Sequence, residues 1–215
     1  MTISADQPLV IGVTGLNATD NPGPGIPVIR TLRDGLGGNI KIIGLSYEPL
    51  EPGIYMHEMV DKTYQIPYPA AGTEALLERL QYIREKENVS VIIPNFDAEL
   101  HNFIKLSSRL NEIGIHTFLP SQKQLEVRDK VNLHSFGKQN NLHVPESVIV
   151  NNFNKLKEAS EKLQYPLVVK GKYYDATVVQ TAKQAQEAFY KLNAKWGLPI
   201  IIQQFIKGTE INVAV

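Results

Sequence analysis

The sequence predicts an α/β protein in which a doubly wound, mostly parallel sheet is followed by a smaller α+β unit. Three observations lead to this prediction. Over the first 120 residues, short β-branched runs alternate with longer segments of helical periodicity. The short runs are almost entirely apolar, as is typical of parallel strands covered on both faces. Beyond residue 120 the pattern becomes hairpin-like, so we divide the chain into residues 1–120 and 121–215.

Four apolar runs define the strands of the first domain. They cover residues 9–13, 40–45, 89–93 and 115–119, and each is too short to be a helix. A weaker run at residues 62–66 is closed by Pro67 and Pro69, which predicts an edge strand because proline cannot donate to a sheet ladder.

Helices are predicted between these strands. One begins near Pro27, since proline is favoured at the first helical position. A second covers residues 73–86, with Leu76, Leu80 and Ile83 on one stripe. A third covers residues 97–113, where apolar residues recur at intervals of three and four, and Gly114 provides a natural end.

The second domain mixes helices with antiparallel strands. A capping-box pattern at residues 121–124 opens helical sequence to about residue 140, with breaks expected near Asp129 and at Gly137. A strand at 147–150 and a helix capped by Asn154 follow. Residues 167–170 and 177–180 predict a hairpin, and a second capping box at Thr181 opens another helix. Two strands, separated by a short kink, are predicted to end the chain.

Composition excludes several classes of protein. The 215 residues are 43% hydrophobic and 20% charged, with 22 basic and 22 acidic side chains. A net charge of zero provides no broad basic surface for nucleic acid or anionic lipid. The chain has no cysteine, which excludes disulfides and thiol chemistry and fits a reducing compartment. With no signal peptide or membrane span evident, we expect a cytoplasmic protein.

In the first domain, no segment clearly predicts chemistry. The stretch at residues 12–30, rich in glycine and proline, could hold an anion on its amides and a helix N-terminus, but it does not match G-x-G-x-x-G, so a dinucleotide site is the less favoured interpretation. Asp97 and Glu99 follow a strand, where open α/β sheets bind ligands, although Asp97 is equally suited to capping a helix. The five histidines are scattered without the spacing of metal ligands.

Basic residues of the second domain are more informative. Lys170 ends an apolar run and either guards a sheet edge or holds phosphate oxygens. Lys130 is open to both interpretations as well. The closing segment from Gln203 to Glu210 is either a plain edge strand or a ribbon whose backbone pairs with adenine and whose Glu210 accepts from ribose hydroxyls.

Taken in order along the chain, these segments resemble the front half of an ATP-grasp enzyme. The segments that carry the resemblance are residues 129–130, 165–170 and 203–210, and the likeness is greatest to biotin carboxylases and the large subunit of carbamoyl-phosphate synthase. The resemblance implies that residues 1–120 form the pre-ATP-grasp domain and residues 121–215 the first lobe of the grasp fold.

The resemblance also implies roles for individual residues. Lys130 and Lys170 correspond to the two lysines that grip the nucleotide phosphates. Gln203 stands where the family usually has a glutamate that accepts from the adenine amino group, and a glutamine oxygen still accepts. The backbone of Gln204 and Ile206 corresponds to positions that meet the adenine edge, and Glu210 to the ribose-binding acid.

Two departures from the family pattern affect the expected activity. Residues 171–177 are bulkier than the usual glycine-rich hairpin, in which bare backbone closes over phosphates. The family's magnesium ligands lie on a second lobe, downstream of the ribose acid, and this sequence ends five residues after Glu210. We therefore expect a truncated fragment that is inactive alone, with Mg²⁺ ligands in the missing lobe.

The resemblance implies an ATP-dependent ligase. The parent protein would use Mg-ATP to activate a carboxylate or bicarbonate as an acyl phosphate, which an amine or similar nucleophile then attacks. The partners are thus ATP and a small carboxylate, and a homo-oligomer is allowed. The alternatives are a non-catalytic module that binds a metabolite or a partner with a decayed nucleotide site, and an NAD-dependent oxidoreductase that uses the first domain.

Overall fold

The computed structural model describes residues 8–18, 21–172 and 175–211. Backbone contacts divide the chain between Gln122 and Lys123 into two compact units. The elements of the first unit are β1 (Leu9–Val13), α1 (Gly25–Leu36), β2 (Ile40–Ser46), β3 (Lys62–Gln65), α2 (Thr73–Glu87), β4 (Val91–Ile93) and α3 (Asp97–Glu112). Single 3₁₀ turns at Pro52–Tyr55 and Pro69–Ala71 flank β3.

The sheet of the first unit is parallel and has the strand order β3-β2-β1-β4. The order runs outward from β1 to β3 and then returns to the other side of β1, which is the doubly wound arrangement that the sequence predicts. The predicted edge strand is confirmed, since β3 lies at the end of the sheet.

Two buried clusters lie on opposite faces of this sheet. Val10 packs with the apolar stripes of α2 and α3, whereas the next residue, Ile11, packs with Ile29 of α1. Because successive side chains of a strand point to opposite faces, helices cover both sides of the sheet. The continuous apolar strands that the sequence contains are explained by this double burial.

The prediction of a strand at residues 115–119 is wrong. Only one bridge forms there, between Val91 and His116, with Ile115 buried beside it. Phe118 is fully exposed, and although Leu119 packs against the core, residues 117–119 belong to no strand. The neighbouring strand β4 has only three residues and provides little ladder to extend.

The second unit is built on an antiparallel sheet. Its elements are α4 (Gln122–Val127), α5 (Leu133–Gln139), β5 (Ser147–Val150), α6 (Phe153–Leu163), β6 (Leu167–Gly171), β7 (Ala176–Val179), α7 (Ala182–Trp196) and β8 (Ile200–Gln204). The strand order is β5-β8-β6-β7. The predicted hairpin is confirmed, with Leu167 paired to Val179 and Lys170 to Ala176.

Helix boundaries agree with the sequence in part. The break near Asp129 is confirmed by a 3₁₀ turn, Lys130–Asn132, between α4 and α5, but α5 continues through Gly137, where a second break was expected. Asn152, and not Asn154, caps α6 by accepting from the Lys155 amide at 2.9 Å. Thr181 caps α7 as predicted, accepting from the Gln184 amide.

Helix α3 also begins differently from the prediction. Asp97 is its first residue and not its cap, and the carboxylate of Glu99 reaches back to the amide of Phe96 instead. None of the helices in the described part of the chain is both long enough and apolar enough to cross a bilayer.

Candidate functional site

One face of the second unit's sheet is buried under α6 and α7. Leu167, Val169, Ile200 and Ile202 point to this face and belong to a core that includes Phe189 of α7. The alternate residues therefore point to the other face. We call it the Lys170 face; its members are Ile149, Val168, Lys170, Val178, Ile201 and Gln203.

The Lys170 face is mostly apolar but is not uniformly covered. Ile149 is 41% and Val178 47% exposed, whereas Ile201 at the centre is buried. Lys170 and Gln203 are half-buried. The Lys170 ammonium therefore lies among apolar side chains.

Lys170 occupies an unfavourable place for a cation. Burial lowers the pKa of its ammonium below the ordinary value, the nearby Lys130 ammonium lowers it further, and Glu210 partly opposes both. Within residues 8–18, 21–172 and 175–211, no carboxylate forms an ion pair with Lys170. Lys130 and Glu210 both act on the pKa of Lys170. The three residues that the resemblance assigns to phosphate and ribose binding therefore lie close enough to interact electrostatically.

The segment that carries Lys130 is fixed by Asp129. One carboxylate oxygen of Asp129 accepts from the Val131 amide at 3.1 Å and starts the 3₁₀ turn. The other lies 3.3 Å from the Lys172 ammonium. Because Lys172 directly follows β6, the ion pair joins the Lys130 turn to the end of the strand that carries Lys170.

The hairpin loop after Lys170 is compact at its base. The Gly171 amide donates to the Asp175 carbonyl at 3.1 Å, and Asp175 adopts a left-handed backbone conformation with φ 61°. Tyr173 and Tyr174, the bulky residues that distinguish this loop from a glycine-rich one, lie outside the described residues.

The closing segment departs from the predicted pair of strands. Gln203 and Gln204 end β8, and Ile206 and Glu210 follow in irregular backbone with exposed side chains. The second strand predicted from Glu210 onward does not begin by Ile211, and residues 212–215 lie outside the described part of the chain.

The first unit contains a buried polar network that the sequence did not predict. Glu99 is 1% exposed and lies at the switch point of the sheet, where it accepts from Thr14, which follows β1, and from the Asn95 amide, which follows β4. Its other oxygen accepts from the Tyr47 hydroxyl. Burial raises the pKa of Glu99, although these hydrogen bonds oppose the increase.

A second buried carboxylate stands beside this network. Glu51 is 2% exposed and accepts from the Tyr47 amide at 2.7 Å, while its other oxygen has no hydrogen-bond partner among the described residues. Burial raises the pKa of Glu51. Neither acid could be found from a motif, since both depend on loops folding over the ends of the strands.

The glycine-rich loop after β1 uses its amides internally. Gly25 donates to the Gly15 carbonyl at 2.8 Å, and Gly23 donates to the Asn17 carbonyl at 2.7 Å. A Cβ on Gly25 would lie 2.3 Å from the Thr14 carbonyl oxygen, so this close approach requires glycine. The loop therefore folds on itself, which favours a structural role over anion binding for these two amides.

No cluster suited to a metal ion is found in the described ranges 8–18, 21–172 and 175–211. Glu51, Glu99 and Asp129 are hydrogen-bonded to amides or hydroxyls or paired with an ammonium group, and they do not converge on one point. The described residues thus do not fit a resident Mg²⁺, and we assign no step to one.

Solved structures with the same arrangement are numerous. The L-amino acid ligase of Bacillus licheniformis superposes with a TM-score of 0.64 at 21% identity, covering 95% of this chain and 46% of its own. The ADP complex of N5-carboxyaminoimidazole synthetase from Staphylococcus aureus gives a TM-score of 0.64 at 16% identity, covering 93% of this chain and 48% of its own. The chain has the fold of about half an ATP-grasp protein. The resemblance stated from the sequence is confirmed at the level of this fold.

Two further comparisons show what else the chain is similar to. The biotin carboxylase domain of Hydrogenobacter thermophilus 2-oxoglutarate carboxylase, solved with MgADP, ADP and bicarbonate, gives a TM-score of 0.62 at 18% identity over 92% of this chain and 44% of its own. A D-alanine–D-alanine ligase of Rickettsia felis is 33% identical over 89 residues, which are 40% of this chain and 27% of that protein. No protein-family profile matches the chain.

Proposed function

We propose that the protein binds ATP on the Lys170 face and that the whole protein is an ATP-dependent ligase. In this proposal the nucleotide activates a carboxylate or bicarbonate as an acyl phosphate, which an amine or similar nucleophile attacks. The similar proteins support it, because two are named as ligases of amino acids and one was solved with MgADP and bicarbonate. That carboxylase domain is described as a dimer, so the proposal allows a homo-oligomer.

The observation that carries the proposal is the charge arrangement around Lys170. A half-buried ammonium, without an ion-pair partner in the described ranges and close to a second ammonium, gains free energy when an anion binds. The triphosphate of ATP is such an anion, and point-charge contacts from lysine are common at phosphates. Lys130 and Lys170 would neutralise phosphate charge, which is the main catalytic requirement of phosphoryl transfer.

The remaining residues fit the nucleoside. The apolar side chains of the Lys170 face offer a surface for adenine. Gln203 would accept from the adenine amino group, the backbone at Gln204 and Ile206 would meet the adenine edge, and Glu210 would accept from ribose hydroxyls. Glu210 is exposed and acts on the pKa of Lys170, so ribose and phosphate would bind side by side.

The domain roles follow from the same proposal. The unit before Lys123 would be the pre-ATP-grasp domain and the unit after it the first lobe of the grasp fold. In this family the magnesium ligands belong to the second lobe. We therefore expect the 215-residue chain to bind nucleotide without turning it over, and magnesium-dependent ATPase activity of this chain would contradict that part.

Titration calorimetry of the chain with ATP tests the nucleotide site. Lys170→Met keeps the aliphatic stem and removes the charge, and we expect it to weaken ATP binding by about tenfold or more, the usual loss for a charge-assisted contact. Lys157→Met is the matched control, because Lys157 is an exposed lysine of α6 on the far side of the sheet.

The alternatives predict different results. Unchanged ATP affinity in Lys170→Met, with intact folding by circular dichroism, would reject the phosphate role and favour a non-catalytic module. Binding of NAD with protection of the first unit alone would favour a dinucleotide enzyme. The internally bonded loop after β1 offers little support for that outcome.

A further inference from the structure

A separate pocket lies in the first unit at the edge of the parallel sheet. Its volume is about 560 Å³, which is within the range of small-molecule sites. It lies between the segment after β3 and one face of α2. Its lining residues are Tyr47, Gln65, Ile66, Pro67, Tyr68, Ala75, Glu78, Arg79 and Tyr82.

The walls of the pocket are aromatic. Tyr47 forms the inner wall and stacks on Tyr68 with ring centroids 5.5 Å apart, and Tyr82 lines the α2 side. Tyr68 is 54% and Tyr82 44% exposed, while Tyr47 is buried. Two exposed rings beside a buried one, together with Ile66 and Pro67, offer faces on which a planar group can stack.

Arg79 supplies the positive charge of the pocket. Its guanidinium lies over the ring of Tyr82, 5.1 Å from the centroid, and its Nε donates to the Gln65 carbonyl at 2.7 Å. In the part of the chain that the structure describes, no carboxylate pairs with this side chain. One nitrogen thus orients the guanidinium over the Tyr82 ring, and its terminal nitrogens can donate to an anion.

A chain of hydrogen bonds holds the pocket in shape. The buried carboxylate of Glu99 accepts from the Tyr47 hydroxyl, and the side-chain amide of Gln65 donates to the backbone carbonyl of Tyr47 at 2.9 Å. The Gln65 carbonyl in turn orients Arg79. A site that is rigid before binding loses less entropy when a ligand arrives. This arrangement gives Glu99 and Tyr47 a positioning role.

We propose that this pocket binds a small anion carrying a planar ring, with the ring against Tyr68 and Tyr82 and a carboxylate or phosphate on Arg79. The proposal goes beyond the ATP site and is independent of it, since every residue involved belongs to the first unit. Carboxylate and phosphate share the chemistry that a guanidinium recognises, and the experiment separates them.

The test is an NMR titration of the ¹⁵N-labelled full chain with four probes: phenyl phosphate, benzoate, phenol and inorganic phosphate. We expect phenyl phosphate or benzoate to shift the amides of Gln65, Tyr68 and Tyr82, and the tighter of the two identifies the anion. Phenol and inorganic phosphate should each bind at least about tenfold more weakly, because each lacks one half of the ligand.

Two variants complete the test. Arg79→Gln should weaken binding of the preferred anion by about tenfold or more and leave the binding of phenol unchanged. Arg30→Gln changes an exposed arginine of α1 outside the pocket, and it should leave the binding of both the anion and phenol unchanged. If Arg79→Gln does not fold, Tyr82→Leu replaces it and should weaken the ring-bearing anions but not inorganic phosphate.

Three outcomes would overturn the proposal. They are the absence of shifts at the lining residues up to millimolar probe, equal binding of phenol and the anions, and equal effects of Arg79→Gln and Arg30→Gln. Failure of the ATP proposal would appear instead in the second unit, as unchanged ATP binding in Lys170→Met, so the two results are distinguishable.

Discussion

At the scale of single residues, Glu87 near the end of α2 accepts hydrogen bonds from three side chains. Glu87 as a residue is 7% exposed, and its carboxylate accepts from Lys41 at 2.8 Å and also from Lys62 and Tyr64. Burial opposes ionisation of Glu87, but the three hydrogen bonds outweigh it and lower the pKa to about 2. The carboxylate therefore joins the end of α2 to β2 and to the edge strand β3.

Replacing Glu87 should make the protein less stable in a pH-dependent way. The folded pKa is lower than the ordinary 4.5, so the contribution of Glu87 is complete above pH 4.5 and is lost as the pH falls towards 2. At pH 7 we expect Glu87→Gln to lower the free energy of unfolding by about 1 kcal/mol, since solvent screens the partly exposed lysines.

Urea denaturation between pH 2 and pH 7 measures this effect. The difference between wild type and Glu87→Gln should shrink as the pH falls below 4.5. Glu85→Gln is the control, because Glu85 is an exposed acid of the same helix. A Glu87→Gln difference that stays constant with pH would contradict an ionised, hydrogen-bonded carboxylate.

Residue patterns predicted some side chains of the sites and not others. Lys170 was singled out because it ends an apolar run, a position that an edge guard also occupies, and its phosphate role stays a prediction. Glu99 was noticed only for its position after a strand, and its burial depends on Thr14 and Tyr47, which are far away in sequence. Arg79 resembles any surface helix residue in the sequence, and its contacts with the Gln65 carbonyl and the Tyr82 ring are visible only in the fold.

At the scale of elements, the caps of α6 and α7 decide where these helices begin. The side chain of Asn152 accepts from the Lys155 amide, whereas Asn154 lies inside the helix. The sequence predicted Asn154, because both asparagines precede the same apolar stripe. Capping residues of this type satisfy amides that otherwise have no partner within the helix.

The two asparagines provide a matched pair for an experiment. We expect Asn152→Ala to lower the free energy of unfolding by about 1 kcal/mol, which is typical for loss of a helix cap. Asn154→Ala should have little effect, since alanine is a better helix former than asparagine at an interior position. Chemical denaturation of both variants measures the difference, and equal losses would contradict the observed cap.

Elements with strong periodicity were predicted well, and elements that depend on a neighbour were not. The stripe of α2 and the β6–β7 hairpin follow directly from local sequence. The run at residues 115–119 has the composition of a strand, but its only available neighbour, β4, is three residues long. Whether such a run pairs is decided by the length of the adjacent ladder, which its own sequence does not contain.

At the scale of the whole molecule, each unit has its own apolar core. Phe103 of α3 is fully buried in a cluster formed by residues of the first unit. Phe189 of α7 is buried in a cluster formed by residues of the second. The sequence pattern changes near residue 120, close to the division between Gln122 and Lys123, and a parallel layer and an antiparallel layer bury their faces under different helices.

Separate cores imply separate local stability. Phe103→Ala and Phe189→Ala should each remove about 3–5 kcal/mol from the unit that contains the phenylalanine. Because each cluster draws its residues from one unit, we expect hydrogen exchange to accelerate mainly in that unit. Amide hydrogen exchange followed by mass spectrometry on the full chain resolves the two, since peptides before and after Gln122 are measured in the same sample. Each variant is the other's control, and uniform acceleration along the whole chain by either one would mean that the two cores unfold as a single cooperative unit.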